Sequence, residues 1–345
     1  MSSDFKQFEQ RKQDHITLAM SPSNQATEGS ILDQMTFWHE ALPNLNFADL
    51  DISSTRFGKP VLNPFMISSM TAGHQGAIAI NTNLLAAANA RHWAMGVGSQ
   101  RRELDDPNES LIWRSLRQKF PNVTLFSNLG IAQLITSPLE DIQRITDAIT
   151  AQALIIHCNP LQEALQPEGT PEFKGCWKAL EQAVKKFELP IIIKETGCGF
   201  APATLKRLHE IGVAAVDVSG LGGTHWGRIE GHRAPADSHA RRAAQVFGNW
   251  GMGTVQSIQF AHALSPSYEI WGSGGVRHGL DAAKLIALGA TTVGFAKNML
   301  GAALQSSDAV ITEMAAIEYE LKLALFCTGS QTLNELQGKL CPTSK

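Results

Sequence analysis

Between residues 61 and 295 the chain alternates short apolar runs with stretches in which apolar residues recur at helical spacing. The runs at 61–67, 94–97, 122–127, 153–157, 191–196, 214–219, 269–271 and 292–295 read as strands buried on both faces. The segments 77–90, 111–119, 139–150, 172–187, 203–211 and 280–288 read as helices. Residues 241–263 are helical too, interrupted by Gly248, Gly251 and Gly253, and the remainder after the eighth strand, to about residue 337, is mostly helical. Strands alternating with helices indicate parallel βαβ units. Eight is the closing number, so the expected fold is α/β, a (β/α)8 TIM barrel over residues 59–345. A doubly wound sheet is the alternative. Residues 1–58 are polar and read as an irregular N-terminal extension, anchored to the barrel by Trp38 and Phe47. The stretch 220–231 reads as a long glycine-rich loop.

A TIM barrel gathers its functional groups at the C-terminal ends of its strands. The polar residues of this chain fall there. The fourth run ends in His157-Cys158-Asn159-Pro160-Leu161-Gln162-Glu163. Alternate strand residues share a face, so Ile155, His157 and Asn159 point the same way. An imidazole, two amides and a carboxylate can hold a small polar substrate and one divalent metal, with Glu163 as the metal ligand. They supply no obvious nucleophile. The same groups could instead only satisfy loop backbone.

With 345 residues the chain can bury a large core, and a formal net charge of -3 gives no reason to expect nucleic acid or an acidic membrane as partner. No apolar run approaches a membrane span, and the start has no signal-peptide core. The five cysteines are scattered without a CxxC pair, which fits a reducing cytoplasm. Local charge is more telling than net charge. Gly222-Gly223-Thr224, Gly274-Gly275-Val276-Arg277 and Ala296-Lys297 follow the last three strands. Together they offer backbone N–H groups, a hydroxyl, a guanidinium and a helix start to a phosphate. The glycines could also serve only tight turns.

Lys194 ends an apolar strand, where an ammonium needs a partner or loses its proton. It could form a Schiff base, pair with an anionic cofactor, or pair structurally with a glutamate. With Ser69, Met70, Thr71, Ser99 and Asn128 as neighbours, a flavin across the barrel mouth suits it. Arg101 and Arg102, with Arg11-Lys12 and His15, offer a second anionic site. The first fifteen residues are then an arm that closes over substrate, or simply a solvated charged helix start.

Taken together these residues resemble type 2 isopentenyl-diphosphate isomerase, the FMN-dependent form. The likeness rests on Arg11-Lys12…His15, Ser69-Met70-Thr71-Ala72-Gly73, Gly98-Ser99-Gln100-Arg101 and His157 through Glu163. Lys194-Glu195-Thr196-Gly197, Asp217-Val218-Ser219-Gly220, Gly222-Gly223-Thr224 and Gly275-Val276-Arg277 complete it. Ala72 replaces a glycine of the family pattern, Cys158 a leucine, and His225 stands where serine is usual. The resemblance implies reversible interconversion of isopentenyl and dimethylallyl diphosphate, a proton shift without net redox change. It implies reduced FMN, with NADPH as reductant, and Mg²⁺. Substrate would meet Arg11, Lys12, His15, Ser99, Arg101, Asn159 and Gln162, with Gln162 and His157 as the residues nearest the chemistry. FMN would meet Ser69, Met70, Thr71, Ser99, Asn128, Lys194, Ser219, Thr224, Gly275, Val276, Arg277, Ala296 and Lys297. A homo-oligomer, tetramer or octamer, is expected. Rival readings are an FMN-dependent 2-hydroxy-acid oxidoreductase and a non-catalytic flavin-binding barrel.

Overall fold

Strand pairing closes the chain on itself. The computed structural model describes residues 3–26, 31–70 and 75–341. Eight parallel strands form a closed barrel: β1 (Phe65–Ile67), β2 (Ala94–Gly96), β3 (Leu125–Gly130), β4 (Ala153–Cys158), β5 (Ile191–Glu195), β6 (Ala215–Asp217), β7 (Glu269–Gly272) and β8 (Thr292–Phe295). β8 pairs with β1, which removes both sheet edges. The expected α/β barrel is therefore the observed fold, and the doubly wound sheet is excluded.

Period-two alternation builds two cores. Met66, Ala94, Phe126, Ala153, Ile155, Ile192, Ala215 and Trp271 point inward and fill the barrel's lower half. Their neighbours along each strand, such as Leu125, Leu154, Ile193 and Val216, point outward under the helices. One step above the inner core, the inward positions turn polar. Asn128, His157, Lys194 and Asp217 share that level; His157 registers with Lys194, and Lys194 with Asp217.

Three stretches depart from the expected elements. The run 61–67 is not one strand. Lys59–Val61 pairs antiparallel with Ser54–Arg56, and β1 starts afresh at Phe65. The break comes at Asn63-Pro64, where the Asn63 amide oxygen accepts from Phe65 N at 3.1 Å. The extension is not irregular at its start: Ser3–Met20 is an 18-residue helix, α1. It contains no Gly or Pro, and it buries Ile16 and Ala19. The glycine-rich loop contains α3 (Trp226–Arg233), which follows the short α2 (Pro160–Leu165) in chain order. Gly231 suggests a loop in sequence, yet a Cβ there would lie 2.3 Å from that of Ala244. The glycine permits close helix packing against the next helix, His239–Val246.

The extension reaches both ends of the barrel. α1 lies over the mouth. The Ser54–Val61 hairpin covers the floor, where the Phe57 ring stacks near Phe126 and Trp271 and the Arg56 guanidinium lies 5.9 Å from both rings. Phe47 packs on Tyr319 and Phe326 as an anchor. Trp38 does not; it is 59% exposed. Its neighbours Thr36–Phe37 pair antiparallel with Leu340–Cys341 instead. Two helices follow β8: α4 (Lys297–Ala303) and α5 (Ser307–Cys327).

Candidate active site

The polar level of the barrel opens into a cavity of about 590 Å³ at the strand C-termini, roofed by α1. It brings together almost every residue singled out above. Arg11, Lys12, His15, Ser69, Met70, Ser99, Arg101, Asn128, His157, Asn159, Gln162, Glu163, Lys194, Ser219, Thr224, Gly275, Val276, Arg277, Ala296 and Lys297 all line it. Thr71 and Ala72 lie outside the described residues.

One wall is built from β4 and α2. His157 ends the inward row of β4, and Asn128 Oδ1 lies 2.9 Å from its Nδ1. Burial, with Lys12 and Lys194 nearby, lowers the imidazole to about 3. The ring is therefore neutral, with the proton on Nδ1 facing the amide oxygen and an acceptor at Nε2. Pro160 at the first helical position stops β4 and starts α2. That turn stacks Asn159, Gln162 and Glu163: the Asn159 amide donates to Gln162 Oε1 at 3.1 Å and to Glu163 Oε1 at 2.9 Å. The other Glu163 oxygen accepts from Thr170 N at 2.6 Å.

The roof is α1. His15 Nε2 lies 2.9 Å from Glu230 Oε1 on α3, and its ring meets Trp226 edge to face. Glu230 also accepts from Gln162 Nε2 at 3.1 Å and from Arg233 at 2.6 Å. Burial raises the Glu230 carboxyl, but these donors more than offset it and hold it below its ordinary value. Burial likewise lowers Lys12 to about 8, with the adjacent Arg11 charge adding to the effect. Glu230 and Trp226 were missed in sequence because the stretch carrying them looked like loop.

The opposite wall is the glycine cradle. Gly275 has φ +78°, and a Cβ there would lie 2.3 Å from Gly222 O. Here the two loops touch backbone to backbone, as close approach of a phosphate also requires. On this side the hydroxyls of Ser68 and Ser69 are buried without a hydrogen-bond partner among the described residues. These orphan groups and the cradle fit a flavin phosphate and ring. Arg277 lines the cavity, but its guanidinium is held by Asp281 at 2.8 Å and Asp33 at 3.0 Å. Thr224 donates its hydroxyl to Gln25 Oε1 at 3.3 Å. Arg101 donates to Thr170 Oγ1 at 3.2 Å, and Arg102 pairs with Glu109. His225 faces away: its Nδ1 accepts from Arg228 N and caps α3, while Nε2 lies near Trp250 O.

Lys194 finds an aspartate rather than a glutamate. Its ammonium is 3.0 Å from Asp217 on β6 and 3.3 Å from Ser273 Oγ, which itself donates to Asp217 at 2.6 Å. Glu195 points outward, as strand alternation requires, and accepts from Thr196 N and Cys198 N. Among the described residues no three His, Cys, Asp or Glu side chains gather as a metal cage. Glu163 is the carboxylate beside the basic roof. Each of its oxygens accepts one protein bond, which leaves lone pairs for a cation that takes its other ligands from phosphate and water. That donor set fits Mg²⁺.

A family model described as FMN-dependent dehydrogenase matches residues 159–342. The isopentenyl-diphosphate delta-isomerase of Legionella pneumophila (strain Lens) is 63% identical over 99% of this chain and 100% of its own. That of Bdellovibrio bacteriovorus is 49% identical over 98% and 99%. Among solved structures, a flavocytochrome b2 with benzoylformate aligns at TM-score 0.70 and 17% identity, over 98% of this chain and 84% of that one. A mandelate oxidase aligns at 0.62 and 15%, over 95% and 91%. At such identities these two establish the barrel fold alone. Identity of 49–63% along both full lengths establishes more: the chain belongs to the FMN-dependent, type 2 isopentenyl-diphosphate delta-isomerases.

Proposed function

We propose that the chain interconverts isopentenyl and dimethylallyl diphosphate at this cavity, with reduced FMN against the glycine cradle and Mg²⁺ at Glu163. The observation that carries this is the division of one cavity into two anion-binding sides, the cradle of Gly222, Gly223 and Gly275 and the basic roof of Arg11, Lys12 and Arg101. One side suits a cofactor phosphate and the other a substrate diphosphate.

The substrate is an unactivated alkene, so the site must deliver a proton and stabilise the positive charge that follows. Reduced FMN supplies an electron-rich ring for that charge, and Mg²⁺ neutralises diphosphate oxygens. The chain's own residues position and isolate the reactants. Arg11, Lys12 and Arg101 draw the diphosphate to the roof. His157 is neutral and accepts at Nε2, so it orients a bound water or a protonated phosphate oxygen. Gln162 is fixed by Glu230 and Asn159 and is too weak an acid to give the proton itself; it orients the reacting end of the substrate. Ile16, Ala19 and Met20 line the cavity from α1 and exclude water, which strengthens the electrostatics within. Lys194, paired with Asp217, holds positive charge beside the ring site.

A 2-hydroxy-acid oxidation would need a histidine base. The imidazole at about 3 over the barrel centre is a weak one, and its Nδ1 partner is an amide, not a carboxylate. NADPH as reductant and a tetrameric or octameric assembly belong to this same reading. The five free cysteines support a cytoplasmic setting. The described residues contain no helix long and apolar enough to cross a membrane. The test is turnover of isopentenyl diphosphate by the purified protein with FMN and Mg²⁺, with and without a flavin reductant. Turnover is expected only with reductant. An inactive, fully reduced and Mg²⁺-loaded protein, or oxidation of a 2-hydroxy acid, would reject the proposal.

A further inference from the structure

The polar level of the barrel holds a conflict. The proposed reaction develops positive charge on the substrate, yet Lys194 sets an ammonium in the cavity wall. Like charges in a site closed to water repel far more than in bulk. Of the four side chains at this level, Asn128 and the imidazole of His157 are neutral, and Asp217 alone is anionic. Asp217 is in register with Lys194 on the next strand, β6. It is buried and does not line the cavity, whereas Lys194 and Ser273 do. One of its oxygens lies 3.0 Å from the ammonium, and the other accepts from Ser273 Oγ at 2.6 Å. Lys194 donates to that same hydroxyl at 3.3 Å, so three buried groups close a triangle. Thr254 Oγ1 donates to the carbonyls of Ser273 at 3.2 Å and Gly274 at 2.7 Å, which fixes the triangle to the base of the glycine cradle. Replacing a buried ion pair by apolar side chains of similar size is often neutral or stabilising, so fold stability gives no reason for this pair.

We infer that Asp217 is a positioning residue that screens Lys194, holding its ammonium at the ring site and cancelling most of its field there. The inference rests on the reading that reduced FMN lies across this cavity. Charge beside the ring tunes a flavin's electronics. An unscreened ammonium would hold the negative charge of a reduced flavin more tightly and draw electron density toward itself. It would also oppose the positive charge that the substrate must develop. With Asp217 behind it, Lys194 still offers N–H donors to the cavity, but as the positive end of a short dipole. The reduced ring then stays electron-rich toward the substrate, which is what electrostatic stabilisation of a cationic transition state requires.

Redox titration of the FMN-loaded, full-length protein at pH 7 tests this, with FMN binding to the oxidised protein measured first. Asp217→Asn keeps the shape of the side chain and removes its charge. It should raise the preference for reduced over oxidised FMN at least about tenfold, which is about 30 mV for a two-electron couple. Lys194→Met should lower that preference, because it leaves a carboxylate buried and unpaired. Both changes together should return it to within about threefold of the wild type, since the pair they remove is close to neutral. Turnover of isopentenyl diphosphate by fully reduced Asp217→Asn should fall at least about tenfold, although reduced FMN is held more tightly. A general loosening of the fold would weaken both. Circular dichroism checks folding; if Asp217→Asn does not fold, the recovery of the double variant relative to Lys194→Met carries the test. A wild type that takes up no FMN rejects the reading of the site and this inference with it. A wild type that binds FMN, with a potential that Asp217→Asn leaves unchanged or lowers, overturns the inference alone. So does undiminished turnover by that variant, or a double variant no closer to the wild type than Lys194→Met.

Discussion

His15 Nε2 lies 2.9 Å from Glu230 Oε1, and this contact joins the helical roof to the wall that fixes Gln162. Burial lowers the His15 pKa, so the neutral ring donates its Nε2 proton to a carboxylate. A hydrogen bond to a charged group contributes about 1.5–3 kcal/mol. His15→Ala should therefore lower kcat/KM for isopentenyl diphosphate about 10–100-fold. Deleting residues 1–15 should do at least as much. FMN affinity should stay unchanged in both, because the cradle lies on the far wall. Wild-type kinetics in the truncated protein would remove the roof from the mechanism.

Gly275→Ala should abolish flavin retention without unfolding the barrel. The new methyl would meet Gly222 O at 2.3 Å and sit on a backbone with φ +78°. A left-handed non-glycine residue costs about 1–2 kcal/mol before the clash is counted. The loops must separate, and the cradle opens. Fluorescence titration with FMN reads the loss, and affinity equal to wild type would show that the cradle does not hold the cofactor.

Glu163→Gln keeps the shape of the side chain while removing the charge, and gives up one of the two bonds that its oxygens accept from Asn159 and Thr170. Activity should fall at least about tenfold at low Mg²⁺ and recover partly as Mg²⁺ rises. The flavin absorption spectrum should not change. Full activity at micromolar Mg²⁺ would mean that the metal is held elsewhere.

Lys12 is expected to set an upper pH limit on substrate binding. Burial brings its ammonium down to about 8, so the charge is lost as pH rises through that value. KM for a diphosphate should climb above pH 8 and stay flat below it. Lys12→Arg keeps a cation across the range and should flatten the profile. A KM independent of pH between 7 and 9.5 in the wild type would contradict the assignment.

The barrel was legible because period two and strand count are local signals, and because its site residues follow strands. The polar level of Asn128, His157 and Lys194 could be placed from alternation alone. Their partners could not. Asp217 as the mate of Lys194 depends on which strand lies next to β5, and Glu230 as the hub for His15 and Gln162 depends on a helix hidden behind glycines. Nothing local to Arg277 reveals that Asp33, 244 residues away, sits in its fork. The extent of helix α1, read only as a possible helix start, was missed for the opposite reason. Its polar sequence gives little periodicity, and its stability comes from the barrel rim beneath it.

The plug formed by Arg56 and Phe57 has a kinetic meaning. It closes one end of the barrel, so whatever is bound at the strand C-termini is reached from the end over which α1 lies. Cofactor and substrate sharing that end predicts that saturating substrate slows flavin reconstitution; an unchanged rate would show separate routes.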